Sequence, residues 1–85
     1  MRGHDSVSIG ILKKMYLYGY IGHRHTSVDN LQKGFPKHWH RDIKKSIRTL
    51  RKCNLIIIKP TGYGTHCSLN PKMIDKVERI IGVSG

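Results

Sequence analysis

Residues 42–54, with the sequence DIKKSIRTLRKCN, constrain the fold more than any other part of the chain. At about 100° per residue, Ile43, Ile47 and Leu50 fall on one narrow stripe, which predicts an α-helix with one buried side. Asn54 tolerates the left-handed conformation that a helix end requires, and a β-branched run follows at once. Basic residues occupy the opposite side: Arg41, Lys44, Lys45, Arg48 and Lys52. The pattern therefore predicts a helix with a cationic outer face that leads into a β-hairpin.

The predicted hairpin has strands at residues 55–59 and 65–69. Its tip, KPTGYG, contains two glycines of the kind that a tight turn requires. We expect Gly62 to lie at the centre of this turn. That centre predicts two cross-strand pairs: Leu55 with Leu69 and Ile57 with Cys67.

Charge and length narrow the class of protein. With 85 residues, the chain predicts one domain, residues 1–85, with frayed ends at 1–5 and 83–85. Sixteen Lys and Arg against five Asp and Glu give a net charge of +11. Such an excess favours polyanions through counterion release, although it is also compatible with a merely soluble basic protein. Nucleic acid is therefore the leading candidate partner.

The cysteines and the apolar runs indicate where in the cell the protein is located. Cys53 and Cys67 are too few for a disulfide scaffold, and nothing at the start of the chain resembles a signal peptide. The longest apolar run, residues 55–58, is much shorter than a membrane span. We therefore expect a cytoplasmic protein with no membrane partner. We also expect both thiols to occupy small core positions, where they are inert.

Two helices are predicted before the central one. The first covers residues 6–18 and stops at Gly19, and its apolar arc is wider than one core contact requires. The surplus either covers the domain's own core or meets a second copy of the chain. The second helix follows a cap at Thr26 or Ser27, with Asp29 completing a capping box, and ends near Gly34. The connection between these two helices, residues 19–25, either forms a turn or pairs with the later hairpin through residues 24–25.

The remaining helices are marked by prolines. The central helix is predicted to extend from Pro36 to Cys53, with Trp39 on its buried stripe. Asn70 and Pro71 end the hairpin, and a last helix over residues 72–81 presents an apolar arc of one packing width. We expect this last helix to lie against the first, and the two together offer a possible homodimer contact.

The order of these elements resembles a known family over residues 26–71. Three features carry the resemblance: TSVDNL at the second helix, the I-x-x-x-I-x-x-L-x-x-x-N-L-I pattern from Ile43 to Ile56, and IIIKPTGYGTHCSLNP. The chain is similar to the winged helix-turn-helix of bacterial and archaeal transcription regulators, including the multiple-antibiotic-resistance and arsenical-repressor types. It has Asn54 where that family usually has Gly. The resemblance implies an α+β fold with a three-helix core, a β-hairpin wing and a C-terminal helix.

The resemblance also implies a site for double-stranded DNA. Residues 36–53 would be the recognition helix in the major groove, and residues 59–65 a wing on the backbone or minor groove. Arg41 and Arg48 are the candidates for reading bases, because arginine binds guanine bidentately. The implied contact residues are Lys37, His38, Arg41, Lys44, Lys45 and Arg48 on the helix, and Lys59, Thr61, Tyr63 and Thr65 on the wing.

Other functions have weaker signals. The six histidines match no closed zinc pattern, and Gly62-Tyr63-Gly64 lacks the context of a phosphate-binding loop, so we expect neither metal nor other cofactor nor catalysis. Three alternatives stay open. They are a sequence-specific DNA-binding regulator acting as a homodimer, a module that binds RNA or coats DNA without sequence preference, and a winged helix that binds an acidic protein.

Overall fold

The computed structural model describes residues 6–62 and 64–83, which form an α+β fold. The described residues contain four α-helices and one three-stranded antiparallel sheet with the strand order β1-β3-β2. Residues 1–5, 84 and 85, which we expect to be frayed, lie outside the described residues, as does Tyr63. The elements are α1 (Ser6–Tyr18), β1 (Thr26–Ser27), α2 (Val28–Gln32), α3 (His40–Lys52), β2 (Ile56–Thr61), β3 (Gly64–Leu69) and α4 (Ile74–Ile81). Short 3-10 turns, Lys37–Trp39 and Pro71–Met73, precede α3 and α4.

The helix α1 lies at the centre of the packing, against both α3 and α4. It has the predicted bounds and ends at Gly19, whose φ of +75° suits glycine. Leu12 is fully buried, so part of the surplus apolar arc covers the domain's own core. The packing of α1 against α4 confirms the predicted contact between the first and last helices. Leu17 and Tyr18, at the end of α1, remain 71% and 60% exposed.

A hydrogen bond between α1 and α4 should make the stability of the domain pH-dependent in the alkaline range. The Tyr16 hydroxyl donates to Glu78 Oε2 at 2.5 Å. This bond, assisted by burial and by the carboxylate charge, raises the pKa of Tyr16 above its ordinary value of 10.0. The hydrogen bond's contribution to the free energy of unfolding is fully present below pH 10.0, and it is lost as the pH rises through the pKa of Tyr16 in the folded state. In urea unfolding at stepped alkaline pH, we expect the native chain to lose more stability than Tyr16→Phe. Tyr18→Phe, which removes an exposed hydroxyl, should behave like the native chain.

The start of α2 differs from the sequence prediction in two ways. The segment that pairs with the hairpin is Thr26–Ser27, not residues 24–25, and it places Thr26 opposite Cys67 and Ser27 opposite His66. Since Thr26 is held in β1, Ser27 caps the helix and accepts a hydrogen bond from the Asn30 backbone N–H at 3.0 Å. The third helical residue is therefore Asn30 and not Asp29, so the predicted capping box was wrong.

The helix α3 begins four residues later than predicted, because the 3-10 turn Lys37–Trp39 follows Pro36 and the α-helix starts at His40. Its buried stripe is as predicted, with Ile43 and Leu50 fully buried and Ile47 6% exposed. Trp39 is partly buried at the margin of the core. Its ring stacks on Phe35 with centroids 5.8 Å apart.

The register of the hairpin is one residue away from the prediction. Ile56 pairs with Leu69 and Ile58 pairs with Cys67, since the turn is centred half a residue beyond Gly62, with Thr61 opposite Gly64. A shift of one residue reverses the faces of one strand. Ile56 and Ile58 therefore share the inner face with Leu69 and Cys67. Leu55 is still fully buried because it precedes β2, and its N–H donates to Leu50 O at 3.0 Å at the end of α3.

The two cysteines occupy different environments. Cys67 is fully buried in β3, as predicted, and burial raises the pKa of its thiol to about 11, which keeps it protonated and unreactive. Cys53 is exposed at the end of α3, so its predicted core position was wrong. The last buried residue of α3 is Leu50, and Cys53 follows the final helical residue, Lys52.

Asn54 has a left-handed backbone, with a φ of +64°, between α3 and β2. Most L-residues adopt this conformation at a cost of about 1–2 kcal/mol, which asparagine tolerates better. We expect Asn54→Ala to lower the free energy of unfolding by about 1 kcal/mol in chemical denaturation. Asn54→Gly is the matched control, because it also removes the exposed side chain but accepts the backbone conformation. Equal losses in both variants would contradict the backbone explanation.

No helix among the described residues is both long enough and apolar enough to cross a membrane.

Candidate nucleic-acid interface

The outer side of α3 is a continuous cationic surface. All six of its Lys and Arg side chains are exposed: Arg41, Lys44, Lys45, Arg48, Arg51 and Lys52. Their spacing keeps them within one arc of the helix, opposite the buried Ile43 and Leu50. Within residues 6–62 and 64–83, none of these six cations forms an ion pair with a carboxylate. Their charge is therefore available to an external anion.

One edge of this surface forms a cleft with the hairpin. The cleft has a volume of about 370 Å³ and lies between α3, the start of α2 and the beginning of β3. Lys44, Arg48 and Arg51 supply its cations, and Ser27, Asp29 and Thr65 supply its other polar side chains. The apolar part of the lining consists of Val28, Ile47 and Ile58. The arrangement suits a ligand that carries several negative charges and also offers apolar surface.

The opposite edge of α3 has a different neighbour. Lys45 lines a separate hollow of about 580 Å³ together with Asp42, Thr49 and the first residues of α1. The predicted cationic face is therefore divided, with Lys44 and Arg48 beside the hairpin and Lys45 beside α1. Arg41 lies between these two edges on the exposed crest of the helix. The sequence pattern placed all of these cations on one face and did not distinguish the two edges.

The predicted hairpin residues also separate. Thr65 lines the cleft, whereas Lys59 pairs with His66 across the strands and lies on the other face from Cys67. Thr61 is exposed near the tip, and its hydroxyl donates to Gly64 O at 2.8 Å. Tyr63 lies outside the described residues. Of the three hairpin residues proposed from sequence that the structure describes, Thr65 alone lines the cleft with α3.

Lys37 and His38 precede the helix and are exposed in the 3-10 turn Lys37–Trp39. The His38 ring meets the edge of Trp39 with centroids 6.4 Å apart. Both residues lie immediately before α3 in the chain. They do not line the cleft.

Arg51 and Asp29 are cleft residues that the sequence analysis missed. Arg51 could have been found from helical spacing, because it lies three positions after Arg48 and seven after Lys44. Asp29 had no such signal, since its position beside α3 depends on how α2 packs. Its carboxylate gives the cleft an acceptor that would repel phosphate and accept a hydrogen bond from a base amino group.

Comparison with protein-family models, curated proteins and solved structures finds no match to this chain.

Proposed function

We propose that this chain is a winged-helix protein that binds double-stranded DNA with sequence preference and acts as a transcription regulator. The observation that carries the proposal is the convergence of Lys44, Arg48 and Arg51 of α3 with Thr65 of the hairpin on one cleft. A cationic helix that stands free beside a hairpin suits a duplex, because the helix can enter a groove while the hairpin meets the adjacent backbone.

The dimensions and chemistry of α3 support its role as the recognition helix. Its thirteen residues amount to roughly 20 Å of helix, and the major groove is about 12 Å wide, which admits one α-helix. Arg41 and Arg48 are the proposed base-reading residues, since a guanidinium matches guanine O6 and N7. Lys44, Lys45 and Arg51 would meet phosphates. In this arrangement Asp29 favours cytosine amino groups at the edge of the cleft.

The hairpin would act as the wing. Lys59 and Thr61 are exposed on its outer face, and with Tyr63 they would approach the backbone or the minor groove beside the helix. Lysine suits this role because its ammonium acts as a point charge toward phosphate. A hairpin in this role adds affinity without reading bases.

The proposed homodimer would use the first and last helices. Leu17 and Tyr18 at the end of α1, together with Val83 after α4, are large apolar side chains that remain exposed. A two-fold dimer would pair two recognition helices with palindromic half-sites about one helical turn apart. Size exclusion coupled to light scattering tests this contact directly. A chain that stays monomeric at all concentrations would exclude the two-fold dimer and, with it, the expectation of a palindromic DNA target.

Selection of bound sequences from a random duplex pool tests the function. We expect an enriched motif, and affinity that falls with salt with a logarithmic slope of roughly −4 to −5, as four to six phosphate contacts predict. A scrambled duplex and a structured RNA of equal length should compete poorly. Equal competition by scrambled DNA would indicate non-specific coating, and stronger competition by RNA would indicate an RNA-binding module. A flat salt dependence would exclude both nucleic-acid functions. Binding to an acidic protein that nucleic acid does not compete away would favour the protein partner.

A further inference from the structure

Two histidines that do not line the cleft meet on the outer face of the sheet. His25 immediately precedes β1, and His66 lies in β3 opposite Ser27. Their Nδ1 atoms are 2.9 Å apart, and their rings meet edge to face with centroids separated by 4.9 Å. His25 is exposed and His66 partly exposed, so a solute can reach the pair. The DNA-binding proposal uses neither residue.

We propose that His25 and His66 form a binding site for a divalent late transition-metal ion, Cu²⁺ or Ni²⁺. Imidazole nitrogen is a preferred ligand of these ions, which adopt square-planar or tetragonal geometry. With metal–nitrogen bonds of about 2.0–2.1 Å, two adjacent square-planar ligands lie about 2.9 Å apart, whereas two tetrahedral ligands lie about 3.3 Å apart. The Nδ1 separation of 2.9 Å is set by the hydrogen bond in the pair, and it leaves both nitrogens within reach of one ion once that bond is replaced.

Metal binding requires only a small chemical change at the pair. In the neutral pair one Nδ1–H donates to the other Nδ1. For both Nδ1 atoms to bind the metal, the donor ring changes tautomer and carries its proton on Nε2, so no net proton is released. Among the described residues no group of three or more His, Cys, Asp or Glu side chains is arranged for a metal, so water completes the coordination.

The neighbouring charge sets the expected affinity. Lys59 pairs with His66 across the strands, and its ammonium opposes a divalent cation on the same face. We therefore expect weak binding in the native chain and tighter binding in Lys59→Ala. Binding would also connect β1 to β3 through side chains, so the metal should stabilise the folded state in proportion to its concentration.

The test is Ni²⁺ titration by calorimetry and thermal unfolding, in a full-length chain that carries Cys53→Ser and His4→Ala. These two changes remove an exposed thiol and a histidine near the amino terminus, both of which compete for the metal. We expect one Ni²⁺ per chain and a metal-dependent rise in Tm. His25→Gln and His66→Gln, which keep a hydrogen-bonding side chain without the imidazole ligand, should each lower affinity at least tenfold.

His23→Ala is the matched control, because it removes a nearby exposed histidine and should leave the titration unchanged. With Cu²⁺, electron paramagnetic resonance should report two nitrogen ligands in the native pair and one in either Gln variant. Binding that persists unchanged in both Gln variants would place the metal elsewhere. Absence of any Ni²⁺ or Cu²⁺ binding would show that the pair is a hydrogen bond only. Neither outcome depends on whether the chain binds DNA.

Discussion

Replacing Lys44, Arg48 and Arg51 together by glutamine should lower the affinity for duplex DNA at least about 100-fold at moderate salt. Three lost charged contacts at roughly 1 kcal/mol each amount to about 3 kcal/mol. The logarithmic salt slope should also become shallower by about 2, because Lys44 and Arg51 are the proposed phosphate contacts and each such contact contributes about 0.9. All three side chains are exposed, so the fold should persist. Fluorescence anisotropy at several salt concentrations measures both effects.

The matched control removes the same charge from α4 and the turn before it. Lys72, in the 3-10 turn, and Lys76 and Arg79, in α4, are exposed, and none of them lines the cleft. Replacing these three by glutamine lowers the net charge equally but leaves the cleft intact. We expect at most a small loss of affinity in this variant. If the two triple variants lose affinity equally, binding follows net charge and the cleft is not the interface.

Leu50→Ala should destabilise the domain by about 2–5 kcal/mol, a large part of the roughly 5–15 kcal/mol expected for the total. Leu50 is fully buried, and its carbonyl accepts from the Leu55 N–H at 3.0 Å where α3 passes to the hairpin. Removing its side chain leaves a cavity between the helix and the sheet. For a domain of this size the Tm should fall by at least about 10 °C, as circular dichroism would measure.

The neighbouring Thr49→Ala provides the control. Thr49 is exposed, and its hydroxyl donates to the Lys45 carbonyl at 3.2 Å. The free energy of unfolding of Thr49→Ala should therefore differ from that of the native chain by less than about 0.5 kcal/mol. Below its melting transition, Leu50→Ala should keep its affinity for DNA, because the exposed cations are unchanged. A melting curve like that of the native chain would contradict the buried position of Leu50.

Local patterns were sufficient for most elements and for the buried side of α3. The bounds of α1 follow from its apolar spacing and from Gly19, and Ile43, Ile47 and Leu50 are buried as their spacing predicts. The hairpin was placed correctly, but its register was not. Glycines within a tip such as KPTGYG permit more than one turn centre, so the choice depends on which strand faces pack against the core. The same limit applies to Cys53, whose exposure depends on where the stripe of α3 ends.

The candidate site shows the same division. The sequence by itself determined that one helix carries a cationic face and that a hairpin follows, because helical spacing and turn chemistry are local properties. Only the tertiary structure decided that Lys44, Arg48 and Arg51 share a cleft with Thr65 while Lys45 faces α1. It also brought His25 to His66, forty-one positions away. Such neighbours are set by how strands pair and helices pack across the core, which no single segment of the chain specifies.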